Sequence, residues 1–174
     1  MNAAGKIILE NIDTKIIMID SGYCDKCEME DFTVFSREVI GRCPNLDVNP
    51  SPRMSPYDVI VIDKTTTGKR WIFELKSRDA RSDNKALFGN GVFIRRQKLE
   101  TLRGFANQGE RVFLVFMFQD RWATVKVPVE ITWNIDVRNV RNGRREIEEN
   151  YLIPLSELKF YNYKFGNPPK IRIK

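Results

Sequence analysis

Asp58, Glu74 and Lys76 are the residues of this chain whose types and spacing could do chemistry. Glu74 and Lys76 lie two apart in Arg-Trp-Ile-Phe-Glu-Leu-Lys-Ser, a run that reads as a strand, so both point to one face. Asp58 opens the preceding apolar run, Tyr-Asp-Val-Ile-Val-Ile-Asp, and Lys-Thr-Thr-Thr-Gly-Lys separates the two runs as a turn. A tight hairpin of these runs can bring Asp58 close to Glu74. Two neighbouring carboxylates repel unless a cation sits between them, and a hard divalent ion such as Mg²⁺ suits oxygen ligands. The carbonyl of Leu75 is a further candidate ligand. Lys76 would then stand over a substrate phosphate or an attacking water, a grouping suited to metal-assisted phosphodiester hydrolysis. A Glu-x-Lys triplet also fits the outer face of an ordinary surface hairpin. The apolar residues around the pair favour the chemical reading, because they would bury charges that then need partners.

The chain has 174 residues, enough for one domain with a real core, and no histidine. The missing imidazole excludes His-ligated metals, Ser-His-Asp and Cys-His nucleophiles and histidine general bases. Carboxylates, lysine, thiols and oxygen-ligated metal remain.

Several elements would position the three residues. Lys6 to Ile19 reads as a front hairpin. A helical pattern runs from about Glu28 to Gly41, with Met29, Phe32, Phe35, Val39 and Ile40 on its apolar side and Gly41 as its stop. Four prolines between Pro44 and Pro56 mark an extended connector. Asp79 to Gly91 is polar, a loop. A second helix is expected from about Ile94 to Gln108, with Leu99, Leu102, Phe105 and Ala106 inward and Gly109 ending it. Arg-Val-Phe-Leu-Val-Phe-Met-Phe suits a strand covered on both faces. Trp122 to Trp133 alternates as a half-buried strand would, and Asn142-Gly143 signals a hairpin turn. The fold class is α/β, a mixed central sheet flanked by helices.

Pro56-Tyr57-Asp58, fifteen residues, then Glu74-Leu75-Lys76 resembles the PD-(D/E)xK motif of a nuclease superfamily. The stretch from Arg95 to Glu130 is similar to the part of Holliday-junction resolvases that follows that motif, and Ile153 to Leu158 is similar to the C-terminal part of the RecU-type resolvases. The archaeal-type resolvases are the other subfamily of the same kind. The resemblance covers roughly Glu28 to Leu158 and implies a restriction-endonuclease-like core. The chain is then a single nuclease domain: residues 1–23 a hairpin extension, 28–135 the catalytic core, 136–174 a C-terminal elaboration. The front hairpin and Cys24-Asp25-Lys26-Cys27 depart from the resolvase pattern.

The resemblance also implies roles. Asp58 and Glu74 would ligate Mg²⁺, with Mn²⁺ able to substitute, and Lys76 would be the catalytic lysine. Gln97 would sit beside the site. A glutamate of the first helix would complete it: Glu28, which shares a face with Phe32, Phe35 and Val39, with Glu30 and Glu38 as fallbacks. The implied activity is structure-specific DNA cleavage in recombination and repair, by resolution of four-way junctions. Two symmetric cuts imply a homodimer. The alternatives are a restriction, homing or flap endonuclease of the same superfamily, a DNA-binding module that has lost cleavage, and an RNA-associated basic protein.

The charge pattern suits a polyanion. The net charge is +6, but Met1 to Asp63 carries 6 basic against 11 acidic residues, and Lys64 to Arg103 carries 11 against 4. Arg78, Arg81, Lys85, Arg95, Arg96, Lys98 and Arg103 are the candidate phosphate contacts, and a solvated basic face is the plain alternative. Phe88 and Phe93 either stack on bases or cover the core. Arg138, Arg141, Arg144 and Arg145 form either a second backbone-contact arm or a soluble hairpin tip.

Three cysteines make no disulfide framework, so a reducing, cytoplasmic setting is expected. Cys24, Cys27 and Cys43 could hold zinc only with a fourth ligand from a carboxylate, water or another chain; plain reduced thiols are the simpler expectation. No apolar run reaches the length of a membrane span, and Met1 to Glu10 lacks the plan of a signal peptide.

Overall fold

A computed structural model of the chain describes residues 26–52, 54–78, 80–84, 91–129, 133–141 and 144–165, with the backbone alone for 26–28, 133–141 and 144–148. The expected front hairpin, Cys24, Lys85 and Phe88 lie outside the described residues.

The elements run α1 (Lys26–Arg42), β1 (Leu46–Pro50), β2 (Val59–Asp63), β3 (Arg70–Ser77), β4 (Gly91–Arg95), α2 (Arg96–Asn107), β5 (Arg111–Met117), β6 (Arg121–Val127), β7 (Trp133–Arg141), β8 (Arg144–Pro154), a single 3₁₀ turn (Leu155–Glu157) and β9 (Lys159–Asn162). Six strands form one mixed sheet in the order β1-β2-β3-β5-β6-β9, and β4-β8-β7 form a second, antiparallel sheet. Only the β3–β5 pair of the large sheet is parallel, joined by the crossover through β4 and α2. The fold is α/β, and among the described residues no helix is long and apolar enough to cross a membrane.

Alternation along the strands supplies both faces of the sheet. Ile72, Leu114, Phe116 and Val125 point to one side, where Val92 and Ile94 of β4, Leu99 and Leu102 of α2 and Ile153 of β8 cover them. Leu75, Val115, Met117, Val59 and Val61 point to the other side, under Phe32 and Phe35 of α1. Both faces of β5 are therefore buried, as its unbroken apolar run requires. Each buried Leu, Val or Phe contributes about 1.5–3 kcal/mol of transfer free energy.

Five elements depart from the sequence expectations, one of them the run Trp122 to Trp133, in which β6 ends at Val127 and Trp133 opens β7 of the other sheet. The proline-rich connector contains a strand: β1 is the sheet's edge, pairs on one side only, and ends at Pro50, where a proline removes no ladder bond. Gly41 does not stop α1, which continues to Arg42. A Cβ at Gly41 would overlap the Phe165 ring, so close approach accounts for the glycine. The second helix begins at Arg96, because Ile94 and Arg95 belong to β4. Residues 91–95, whose first glycine closed the expected loop, are thus a strand. Val92 and Ile94 enter the core, and Phe93 between them is half-buried on the other face. Gly109, with φ 91°, closes α2 as expected. Arg141 pairs with Arg144 across the expected Asn142-Gly143 turn.

Candidate active site

The site lies at the end of β2 and along β3. Asp58 precedes Val59, the last residue of β2 paired with β3 (Val59↔Phe73), and lies close enough to Glu74 for the two carboxylates to repel. The chain before β2 is held to its neighbours: Asp58 N–H donates to the Phe73 carbonyl (3.0 Å), and Ser51 N–H donates to the Asp58 carbonyl (2.9 Å). The Tyr57 ring meets Phe105 of α2 edge-on at 5.5 Å. Leu75 N–H donates to Asp58 Oδ2 at 2.7 Å, which fixes that carboxylate against β3. Asp58 Oδ1 has no hydrogen-bond partner among the described residues. In an antiparallel pair a residue's N–H and C=O face the same neighbour, so the Leu75 carbonyl also faces the Asp58 side, past the end of β2.

Glu74 and Lys76 project on the same side as Ile72, toward α2. The Glu74 side chain is 0% exposed. Its Oε1 accepts a hydrogen bond from Lys76 Nζ and lies 3.0 Å from Lys98 Nζ. Its Oε2 is buried with no hydrogen-bond partner among the described residues. Burial pushes the Glu74 carboxyl above its ordinary range and Asp58 adds to the rise, while the Lys76 and Lys98 ammoniums oppose it. Lys98 Nζ also donates to the Pro56 carbonyl at 3.1 Å. One ammonium of α2 thus ties the Pro-Tyr-Asp segment to the Glu-Leu-Lys strand.

Asp58, Glu74, Lys76 and the Leu75 backbone are therefore brought together, and Lys98 joins them. Lys98 was expected only among the flanking phosphate contacts. Gln97, expected beside the site, is exposed, and the α2 side chain that reaches Glu74 is that of the next residue. A sequence signal existed: Lys98 is four residues before Leu102 and seven before Phe105, so it extends their inward stripe.

The first-helix glutamates are placed as follows. The side chain of Glu28 lies outside the described residues. Glu30 is half-buried on α1. Glu38 is 1% exposed and engaged elsewhere: Oε1 accepts the N–H groups of Lys164 (2.8 Å) and Phe165 (2.7 Å), and Oε2 pairs with Arg42 at 3.0 Å. Glu38 anchors the chain after β9 rather than completing the site. Asp63, the last residue of β2, accepts from Thr65 N–H (2.9 Å) and Thr65 Oγ–H (2.6 Å) of the turn that follows.

The basic residues divide. Arg78 is a packing residue: its guanidinium donates to the Phe93 carbonyl (2.7 Å) and the Ser77 carbonyl (3.2 Å), lies over the Phe116 ring, and burial lowers its pKa. Arg103 donates to Glu100 and to the Val129 carbonyl and covers Tyr151. Arg81 pairs with Asp83, and Arg96 with Glu149, in exposed ion pairs. Arg95 is exposed at the β4–α2 junction. Cys43 is a free, exposed thiol, and the Cys27 side chain lies outside the described residues.

A buried carboxylate oxygen without a partner among the described residues, a second carboxylate near it and a backbone carbonyl on that side fit a hard, oxygen-ligated cation. The described residues hold no group of three acidic or cysteine side chains, so a cation here would take its remaining ligands from water or substrate. No protein-family model matches the chain, and no curated protein sequence matches it.

Proposed function

We propose that the chain is a Mg²⁺-dependent DNA endonuclease of the PD-(D/E)xK kind on a restriction-endonuclease-like core, acting on branched DNA and above all on four-way junctions. The observation that carries the reading is Glu74: a fully buried carboxylate with one oxygen unpartnered among the described residues, near Asp58 and flanked by two ammoniums. A buried unpaired oxygen costs stability, and proteins keep such costs at functional sites. The mixed sheet flanked by α1 and α2 supports the proposed core.

Asp58 Oδ1, Glu74 Oε2 and the Leu75 carbonyl would hold the cation. A divalent ion bound there supplies charge to polarise the phosphodiester and to stabilise the leaving oxygen. The chain's own residues do the rest. Leu75 N–H holds Asp58 in one orientation. Lys76, about a third exposed, presents its ammonium at the rim, where it can hold a phosphate oxygen or the attacking water. Hydrolysis would leave a 5′-phosphate and a 3′-hydroxyl, as the family resemblance implies. Arg95 and the exposed pairs of Arg81 and Arg96 can turn to flanking phosphates at little cost, because surface ion pairs are weak. A homodimer would place two such sites for paired cuts.

The test compares four-way junction, flap and linear duplex DNA in Mg²⁺ and in EDTA. Paired cuts in the junction with Mg²⁺ are expected. Preferred cutting of a flap or of linear duplex would transfer the reading to those endonucleases. Tight DNA binding without cleavage in Mg²⁺ or Mn²⁺ would leave a binding module.

A further inference from the structure

Among the described side chains, the site is charge-balanced before any metal enters it. Asp58 and Glu74 supply two negative charges, and Lys76 and Lys98 supply two positive ones. A divalent cation added to that set leaves a surplus of two positive charges in a half-buried place. A phosphate group removes part of that surplus, and two cationic side chains at the rim would receive it. The two lysines are not equivalent. Lys76 belongs to the same strand as Glu74, whereas Lys98 reaches across from α2, and its second partner is the neutral Pro56 carbonyl. The Lys98 side chain is 31% exposed, so its ammonium can pivot outward without any backbone change.

We propose that Lys98 is a built-in counter-ion that couples metal loading to DNA binding: it occupies Glu74 in the free protein and transfers to a DNA phosphate when substrate arrives, opening the site to the divalent ion. The inference rests on the nuclease reading and deepens it. It makes cleavage conditional on substrate, because the free protein holds its cation weakly. By linkage, DNA raises the affinity for the ion by the same factor as the ion raises the affinity for DNA. Removing one unit charge a few ångströms from a divalent ion, in a site still open to water, changes its affinity by about tenfold.

Calorimetric titration of the full chain with Ca²⁺, a cation that also takes oxygen ligands, tests this without reading activity. The titrations are run without DNA and with a four-way junction, with Asp58→Asn as the baseline for ion taken up by the DNA itself. Wild type is expected to bind Ca²⁺ at least about tenfold more tightly when the junction is present. Lys98→Met is expected to bind Ca²⁺ about tenfold more tightly than wild type without DNA, and to lose most of the gain that DNA brings. Lys98→Arg, which keeps the charge, should behave as wild type. A purely structural lysine would give the opposite sign, since its loss would loosen the site. If a folded Lys98→Met binds Ca²⁺ no more tightly than wild type, while Asp58→Asn abolishes binding, the inference falls and the nuclease reading stands. If no protein binds Ca²⁺ with or without DNA, both fall. If Lys98→Met does not fold, Lys98→Gln carries the same comparison.

Discussion

Glu74→Met should stabilise the metal-free protein. The wild-type carboxyl is fully buried, and its Oε2 has no partner among the described residues. An unsatisfied buried acceptor costs about 1–3 kcal/mol. Against this stand the contacts of Oε1 with two ammoniums, each on a side chain 31% exposed. Pairs that open to solvent contribute only about 0–1 kcal/mol each. After the substitution both ammoniums can turn to water, so no charge is stranded. Methionine has similar length and fills the same space with apolar atoms. Removal of the unsatisfied acceptor is the larger effect, and a gain of about 1–3 kcal/mol is expected. At this chain length that corresponds to a rise of roughly 2–12 °C in Tm. Urea unfolding in EDTA measures it, as a higher midpoint at unchanged slope. The gain should depend on pH in a set direction. Burial raises the Glu74 pKa in the folded state, so the wild-type contribution is whole below the unfolded value of about 4.3 and declines as pH rises through the folded value. The advantage of Glu74→Met therefore grows from pH 4 upward. A midpoint lowered by more than about 1 kcal/mol would refute the reasoning, because it would make Glu74 a structural keystone instead of a costly functional group.

Three further outcomes follow from the same geometry. Arg78→Ala should lower stability by about 2–3 kcal/mol through loss of its charged hydrogen bonds to Phe93 and Ser77, and the folded fraction should bind DNA as wild type does in a salt titration. Glu38→Ala should cost about 2–3 kcal/mol in urea, since it removes the acceptor of two backbone N–H groups and the partner of Arg42, while kcat of the folded protein stays unchanged. Asp120 takes the Ser82 N–H and Oγ–H at 2.7 Å each. Partial burial works to raise its pKa, but the Ser82 bonds outweigh it and hold the carboxyl below its ordinary range. Its stabilising contribution is thus whole above about pH 4 and lost as pH falls further, and Asp120→Ala should speed hydrogen exchange across Ala80–Asn84 at neutral pH.

Much of the site was legible because it rests on two-residue alternation. Asp58, Glu74 and Lys76 lie in an apolar hairpin whose register follows from the Gly68 turn, and β5 announced itself by an unbroken apolar run. Other features depend on contacts between segments distant in sequence. The prolines around β1 read as a connector, since nothing local marks it as a sheet edge. The β4–α2 boundary carries no capping signal: Arg95 is extended, at φ −58° and ψ 133°, with no side-chain cap bond. That set the expected helix start too early, at Ile94; Gln97 was expected from the family resemblance alone, and Lys98 only as a flanking phosphate contact. Arg78 looked like a phosphate ligand because its charge was visible and its burial against Phe93 and Phe116 was not. Glu38 looked like a site acid because its partners, Lys164 and Phe165, arrive from more than a hundred residues away.

The central claim is that Asp58 and Glu74 together hold the cation that cuts DNA. Cleavage of a synthetic four-way junction in Mg²⁺ by wild type, Asp58→Ala and Glu74→Ala, beside gel-shift binding in EDTA, tests it most directly. Wild type should make paired cuts, and each variant should lose at least about a thousandfold in rate while still binding the junction. Variants that bind the junction and still cut it at rates near wild type would contradict the claim.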